Sequence, residues 1–370
     1  MRARAFRRSC RLFAASQLLA LTVAGCGDDS AAGDDDDDDD DEVIDAAPDA
    51  PADALVDAPD DPLMPMTLEA SGLWSDFAGE VLADGVYRYE VSYALWSDGA
   101  AKRRWIYLPP GEQIDTSDMD YWVYPVGTKL WKEFRRDGVR IETRFLFKTA
   151  EDTWYRIAYG WNAEGTATAA VPSAGADDVF GTPHDVPSRN DCNKCHVRMP
   201  DRVIGFTAIL LDHPLDGVDD AEMNLDRLVG EGWLSAPPVA GGGGSYFPVP
   251  GDEVTRRTLG YVHANCGGCH HARSDVFDAL DMTLKLEAAS LAEPGVTPQD
   301  TTIWQTTVGV ENQLDLSGVT ARVEPGAPGA SAMFVRMNQR GGQTMPPLGT
   351  EDVDVPAVAD LEAWILSLPP

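Results

Sequence analysis

Four cysteines in the second half of the chain form two pairs with the same spacing, and a histidine follows each pair directly. The six residues are Cys192, Cys195, His196, Cys266, Cys269 and His270. Side chains three positions apart on a helix are neighbours, so both thiols of a pair can face one partner. The two other cysteines, Cys10 and Cys26, lie near the start of the chain. The fold therefore has to present two local thiol pairs and not an ordinary disulfide framework.

The C-x-x-C-H spacing is typical of segments to which c-type haem is attached. Two thioethers would join each cysteine pair to one porphyrin, and the adjacent histidine would ligate the iron. A zinc site built from four cysteines is one alternative, but zinc needs no histidine directly after each pair. A thioredoxin-like redox pair is a weaker alternative, because neither pair follows a βαβ pattern. We predict two haem c groups, with His196 and His270 as iron ligands.

The second haem needs a ligand on its other face, and Met345 is the candidate. It lies in the glycine- and proline-rich loop 341–347, downstream of Cys266 and directly before the last helical pattern. A methionine held in such a loop can reach iron, and Met/His ligation raises the reduction potential. Met345 as a packing residue is the alternative, and Met333 or Met337 would then be the next candidates.

For the first haem, the predicted second ligand is His213. Met199 lies too close to His196, because a residue three positions later on a helix stays on the same side of the ring. His213 is separated by enough chain to cross over. His263 and His184 are the alternatives, and a histidine with no ligand role is possible at all three positions.

The first 62 residues indicate export and anchoring. Residues 1–25 combine N-terminal arginines with an apolar run, which is typical of a signal peptide. The small residues before Cys26 resemble the lipobox of bacterial lipoproteins, which implies lipidation of Cys26; an ordinary cleavage site is the alternative. Residues 26–62, rich in Asp, Ala and Pro, predict a disordered tether. We expect a protein anchored by lipid to a membrane of the Gram-negative cell envelope, facing the periplasm or the cell surface.

The chain is strongly acidic, with a formal net charge of −32. Such a surface repels nucleic acid, so no nucleic-acid partner is expected. It favours redox partner proteins with a basic docking surface at low ionic strength. A surface that is charged only for solubility is an equally good interpretation.

Short aromatic and β-branched runs over residues 63–180 predict a β-rich domain that resembles a sandwich or barrel. Residues 139–147 nearly alternate between polar and apolar side chains, as in a half-buried strand. Six tryptophans lie between Trp74 and Trp154. Core packing is favoured for them over a ligand groove.

After Pro172 the pattern becomes helical and rich in glycine. We predict a first haem-binding segment over 181–240, a glycine-rich linker over 241–251 and a cytochrome c-like domain with the second haem over 252–370. The predicted fold class is therefore multidomain, with a β-rich sandwich- or barrel-like N-terminal domain followed by mainly α, cytochrome c-like haem domains.

Residues 254–370 resemble the single-domain c-type cytochromes in their order of features: a leading helix, C-x-x-C-H, a Met-Pro loop and a C-terminal helix. Over residues 85–370 the chain is similar to a family of bacterial two-haem c-type cytochromes. Its members are envelope lipoproteins with an aromatic, β-rich N-terminal domain. The resemblance implies envelope location and haem content, and says nothing about redox partners.

Three functions are compatible with these features. An electron carrier would have two six-coordinate irons and no substrate chemistry. A two-haem peroxidase-type enzyme would leave one iron without a second protein ligand, and no acid/base pair can be placed beside such a site from the sequence. A binding module would bind a partner through the β-rich domain, and the haems would exchange electrons with that partner. We expect the electron carrier.

Overall fold

The computed structural model describes residues 64–215, 222–239 and 244–369. The predicted signal peptide, Cys26, the predicted tether and most of the Gly-rich run of the predicted linker lie outside the described residues. The described residues belong to one compact unit. Within these ranges, no helix combines the length and the apolar character needed to cross a membrane.

Nine strands are described, numbered β1 to β9 along the chain. They are Trp74–Asp76, Val81–Leu82, Val86–Tyr89, Ala101–Tyr107, Lys129–Arg136, Val139–Ala150, Thr153–Trp161, Thr168–Ala170 and Glu222–Met223. β1 and β2 form a separate two-stranded sheet, and the other strands form one seven-stranded sheet in the order β8-β7-β6-β5-β4-β3-β9. Its neighbours are antiparallel except β9, which runs parallel to β3.

The described helices are numbered α1 to α9. They are Arg189–His196, Ala208–Leu211, Leu225–Gly230, Glu253–Asn265, Asp275–Leu280, Ala288–Leu291, Thr302–Thr307, Ala332–Met337 and Val355–Ser367. Short 3-10 turns occur at Glu69–Ser71, Val179–Gly181, Pro298–Asp300 and Pro328–Ala330. The two longest helices, α4 and α9, start at aspartate caps, where Asp252 accepts from Thr255 N and Asp354 accepts from Ala357 N.

One face of the large sheet, here called the N-terminal face, packs against the start of the described chain. Trp105, Trp131 and Phe145 come from three neighbouring strands and form a buried cluster with Leu68 and Leu73. The rings of Trp131 and Phe145 stack with their centroids 5.3 Å apart. The period of two in β5 and β6 places these aromatic rings on one side and polar side chains on the other.

The opposite face, here called the C-terminal face, packs against the second half of the chain. Ile106 and Leu130 on this face belong to the same buried cluster as Leu259 of α4 and Trp364 of α9. Burial of these apolar side chains stabilises the fold by about 1.5–3 kcal/mol for each fully buried residue. The core therefore continues without interruption from the sheet into the region that carries the second cysteine pair.

The predicted fold class is wrong. The β-rich region forms the two-stranded sheet and six strands of the open seven-stranded sheet, not a sandwich or barrel, and residues 181–370 do not form mainly α, cytochrome c-like domains. Among the described helices, all except α4 and α9 have eight residues or fewer. Prolines recur in the second half, for example Pro294, Pro298, Pro325 and Pro328, and proline interrupts helices because it lacks a donor N–H. Alternation predicted strands, but it did not indicate that helices and loops would cover the sheet face.

Candidate functional site

The first cysteine pair lies on α1. Ser188 caps this helix by accepting a hydrogen bond from Asp191 N. Arg156 of β7 donates a hydrogen bond to the side-chain oxygen of Asn193, which lies between the two cysteines. Cys192 and Cys195 are free and partly exposed. The helix is therefore fixed to the C-terminal face of the sheet while its thiols stay accessible.

His196, the histidine after the first pair, is held in one orientation. Its Nδ1 lies 2.6 Å from the carbonyl oxygen of Arg202, and only a protonated Nδ1 can donate to a carbonyl. Burial lowers the pKa of His196 to about 3, helped by the nearby charges of Arg156 and Arg144. The neutral ring then leaves Nε2 without a proton and available to a metal. This is the arrangement in which a backbone carbonyl orients a ligating histidine.

The second cysteine pair begins at the C-terminal end of α4, where Cys266 is the cap residue. The chain then turns tightly, and His270 N donates to Cys266 O over 2.9 Å. His270 is buried, and its Nδ1 has no hydrogen-bond partner among the described residues. Burial, followed by the charge of Arg336, lowers the pKa of His270 to about 4. This neutral ring has an unpaired buried nitrogen, which is costly unless a partner binds.

The two cysteine pairs lie side by side. The thiols of Cys195 and Cys269 are neighbours, close enough for each to shift the pKa of the other. Arg198, just after the first pair, forms an ion pair of 2.7 Å with Asp275. The carbonyl of Arg198 also accepts from His271 Nε2 over 3.1 Å. The fold thus brings together two segments that are more than seventy residues apart in the sequence.

The environment of the thiols bears on the alternatives to haem. Burial raises the pKa of Cys192, and it raises the pKa of Cys266 to about 12. The neighbouring thiol of Cys269 raises the pKa of Cys195, and that of Cys195 lowers the pKa of Cys269. A reactive redox thiol needs a low pKa, which Cys192, Cys195 and Cys266 do not have.

A zinc site of four cysteines requires four sulfurs within bonding distance of one ion. In the described part of the chain, the one group of acidic, histidine or cysteine side chains close enough to share a metal is Asp178, Asp185 and Glu351. None of the four cysteines belongs to it. Among the described residues, no three of these sulfurs therefore lie within 4.8 Å of one another, although Cys195 and Cys269 are neighbours.

His213 is placed away from the first cysteine pair by its contacts. Its Nδ1 lies 2.9 Å from the carbonyl of Pro214, and its Nε2 lies 3.1 Å from the carbonyl of Glu90, just after β3. In the sheet, β3 is four strands from β7, to which α1 is fixed, or about 19 Å at the usual strand spacing. The structure does not bring His213 close to His196. Ligation of the first haem by His213 is therefore still a prediction.

The two alternative histidines differ in their surroundings. His263 is buried on α4, and its Nδ1 accepts a hydrogen bond from Leu286 N over 3.0 Å. The proton of its neutral ring is then on Nε2, which prevents that nitrogen from ligating. His184 is also buried, and its Nε2 lies 2.9 Å from Glu142 Oε1. Glu142 in turn pairs with Arg144, whose charge acts on Cys192. Of the three histidines, His184 is connected most directly to the first pair.

Met345 lies in a loop that is fastened to α8. Met345 N donates to the carbonyl of Arg336 over 3.0 Å, and Arg336 Nε donates to Gln343 O over 2.8 Å. The charge of Arg336 also lowers the pKa of His270, so α8 lies near the second pair. The loop and His270 are thus held by the same helix. Met333 and Met337 point into the core cluster and are buried.

Sequence reasoning missed two features of this region. His271 directly follows His270, is fully buried and has its Nδ1 3.2 Å from Tyr121 Oη. The two consecutive histidines, His270 and His271, are the feature of the sequence that could have indicated this residue.

The other feature is a group of basic side chains on the C-terminal face of the sheet beside α1. Alternation predicted that Arg140, Glu142 and Arg144 share one face, but a bulge in β6 places Arg140 on the N-terminal face, where it pairs with Glu133. The pattern also did not indicate the neighbouring strands that complete the group.

The described residues fit two covalently attached haems. Each site offers two free thiols and a neutral histidine, and each histidine has a nitrogen that is unprotonated or unpartnered. A comparison with models of protein families found no match, and comparisons with curated proteins and with solved structures found none either.

Proposed function

We propose that the chain is an extracytoplasmic c-type cytochrome that carries two haems and transfers electrons between redox partner proteins. The observation that carries the proposal is the pairing of free thiols with an oriented, neutral histidine. At the first site, the hydrogen bond of 2.6 Å between His196 Nδ1 and Arg202 O leaves Nε2 ready to ligate iron.

The residues of the chain have distinct parts in this proposal. Cys192, Cys195, Cys266 and Cys269 would hold the porphyrins by thioethers, and His196 and His270 would ligate the irons. Bound haem iron supplies reversible one-electron chemistry. Burial keeps both histidines neutral, which iron ligation requires. The contact between Cys195 and Cys269 places the two sites next to each other, which favours electron exchange within the molecule.

The proposal also includes the location. Lipidation of Cys26 and a tether over 26–62 would hold the haem-bearing part at a membrane of the envelope. The acidic surface would favour partners with a basic docking surface, and binding to them would weaken as salt screens the charges.

Counting covalent haems tests the proposal. We expect two haems per chain in a denaturing haem assay of protein produced in a host that matures c-type cytochromes. The double variants Cys192→Ala/Cys195→Ala and Cys266→Ala/Cys269→Ala should each retain one haem, and each serves as the control for the other. A wild-type chain without covalent haem would exclude the cytochrome.

A second candidate function is a peroxidase-type oxidoreductase, and one observation favours it. The buried pair of His184 and Glu142, 2.9 Å apart, lies beside Arg144 near the first site. A carboxylate that orients a histidine is a suitable acid/base pair for proton transfer to a bound peroxide. Carbon monoxide uptake by the reduced two-haem protein would indicate an open iron and favour the enzyme, whereas no uptake favours the carrier.

A further inference from the structure

The C-terminal face of the sheet carries a group of basic side chains, here called the basic cluster. Its members are Lys102, Arg104, Lys132, Arg144 and Arg156. The strand register places Arg104 opposite Lys132, and Lys132 opposite Arg144. Like charges directly opposite each other across strands destabilise a sheet. Such a row is therefore unfavourable unless opposite charges compensate it.

Acidic side chains offset only part of the cluster: Asp98 and Asp354 act on Lys102, but none pairs with Lys132 among the described residues. Glu90 pairs with Arg104 at 2.9 Å, and Glu142 pairs with Arg144 at 2.6 Å. Lys132 has no acidic partner within ion-pair distance among the described residues, and its ammonium lies 5.2 Å from the ring of Phe134. The protein as a whole is strongly acidic, so this local excess of positive charge is unusual for the chain.

The positive charges of the basic cluster repel one another, and the pKa of Lys132 reflects this repulsion. Burial, followed by the charges of Arg104 and Lys102, lowers the pKa of Lys132 well below its usual value. An anion bound beside Lys132 would reverse this effect, because an opposite charge favours the protonated ammonium.

The cluster faces the first cysteine pair. Arg144 and Arg156 both act on Cys192, and the charges of Arg156, Arg144 and Lys132 all act on His196. Arg156 also donates a hydrogen bond to Asn193, between the two cysteines. A group attached at Cys192 and Cys195 would thus have basic side chains of the sheet beside it.

We propose that the basic cluster binds the two propionate carboxylates of the haem attached at Cys192 and Cys195. The inference rests on the proposed function, since it assigns a position to that haem. Haem is a dianion at its propionate edge, and charge-assisted bonds from lysine and arginine to carboxylates are among the stronger hydrogen bonds in proteins. Lys132, which has no acid of its own, is the central residue of this site.

The variant Lys132→Met tests the inference by the sign of its effect on stability. In the two-haem protein, loss of the ammonium should lower the thermal midpoint, because a carboxylate loses its partner. In the Cys192→Ala/Cys195→Ala background, the same change should raise the midpoint, because it removes repulsion from Arg104 and Arg144. Lys132→Arg keeps the charge and should stay close to wild type in the two-haem protein.

Lys129→Met is the matched control. Lys129 lies on the same strand, and the register places it on the opposite face, where it donates to Ser71 O over 3.3 Å. Replacement of Lys129 should change the thermal midpoint in the same direction in the two-haem protein and in the Cys192→Ala/Cys195→Ala variant. A change of the same sign for Lys132→Met in both backgrounds would overturn the inference.

Inorganic phosphate separates a haem carboxylate from a soluble anion. If phosphate raises the midpoint of the two-haem protein only when Lys132 is present, the site takes a soluble anion and the assignment to haem is overturned. If phosphate stabilises only the Cys192→Ala/Cys195→Ala variant, the haem carboxylates occupy the site in the loaded protein, as inferred. The haem count of the wild type is measured first. Absence of haem would defeat the proposed function, whereas two haems without the sign reversal would defeat this inference alone.

Discussion

Single residues around Asp201 fix the segment that follows the first cysteine pair. Lys148 Nζ lies 2.8 Å from both carboxylate oxygens of Asp201, and Trp154 Nε1 donates to the same carboxylate over 2.9 Å. Tyr124 N adds a third donor at 2.6 Å. The neighbouring residue Arg202 provides the carbonyl that orients His196. A buried ion pair is thus connected directly to the orientation of a predicted iron ligand.

Asp201→Ala should destabilise the protein by about 3–5 kcal/mol, because it leaves the buried ammonium of Lys148 without a partner. The change should also loosen the hold of Arg202 on His196 and shift the reduction potential of the first haem. Chemical denaturation and potentiometry measure the two effects. Asp152→Ala, in the exposed turn between β6 and β7, is the control and should change neither. A normal stability of the Asp201 variant would show that the pair is not buried as described.

At the scale of elements, the important relation is between α1 and the turn that follows α4. The Cys195 and Cys269 thiols are neighbours that act on each other's pKa, and the Arg198–Asp275 ion pair holds the two segments together. Groups attached to these two cysteines must be neighbours. The spacing within each motif is local, but this proximity depends on how both helices pack.

Neighbouring porphyrins should couple optically. The circular dichroism of the two-haem protein in the Soret region should differ from the sum of the spectra of Cys192→Ala/Cys195→Ala and Cys266→Ala/Cys269→Ala, each with one haem. The reason is that two close transition dipoles split each other's absorption. A spectrum equal to the sum of the single-haem spectra would contradict the adjacency while leaving the haem count intact.

At the scale of the molecule, one core joins the sheet and the second half of the chain. Gly260 of α4 shows this in detail, because a methyl group there would overlap the ring of Tyr93, which follows β3. The side chain of Asn265 also accepts from Trp96 N over 2.6 Å. The segment after β3 and the helix before the second cysteine pair therefore pack without space between them.

Gly260→Ala should destabilise the protein by about 1–3 kcal/mol, because overpacking costs more than the higher helix propensity of alanine returns. Gly230→Ala is the control, since a methyl group at Gly230 of α3 meets no atom within 4 Å. Urea denaturation measures both. If Gly260→Ala were neutral or stabilising, α4 would not pack against Tyr93, and a separate C-terminal domain would regain support.

Part of the candidate site could be predicted from sequence because its chemistry is local. The spacing of Cys192, Cys195 and His196 brings these groups together on the short helix α1, and the same spacing brings Cys266, Cys269 and His270 together in the turn after α4. The alternation in 139–147 is also a local pattern and lies in β6 as predicted, except that a bulge moves Arg140 to the other face. These features depend on residues a few positions apart, so periodicity and propensity are sufficient to find them.

Other features depend on contacts between distant segments, and only the tertiary structure decided them. The sequence by itself determined two thiol pairs with their histidines, a strongly acidic chain and a β-rich first half. The fold decided that one open sheet carries both halves of the core and that Cys195 meets Cys269. It also decided that Lys132 is placed between Arg104 and Arg144. The physical reason is that strand register and the packing of helices on a sheet are set by the burial of the whole core, which no single segment encodes.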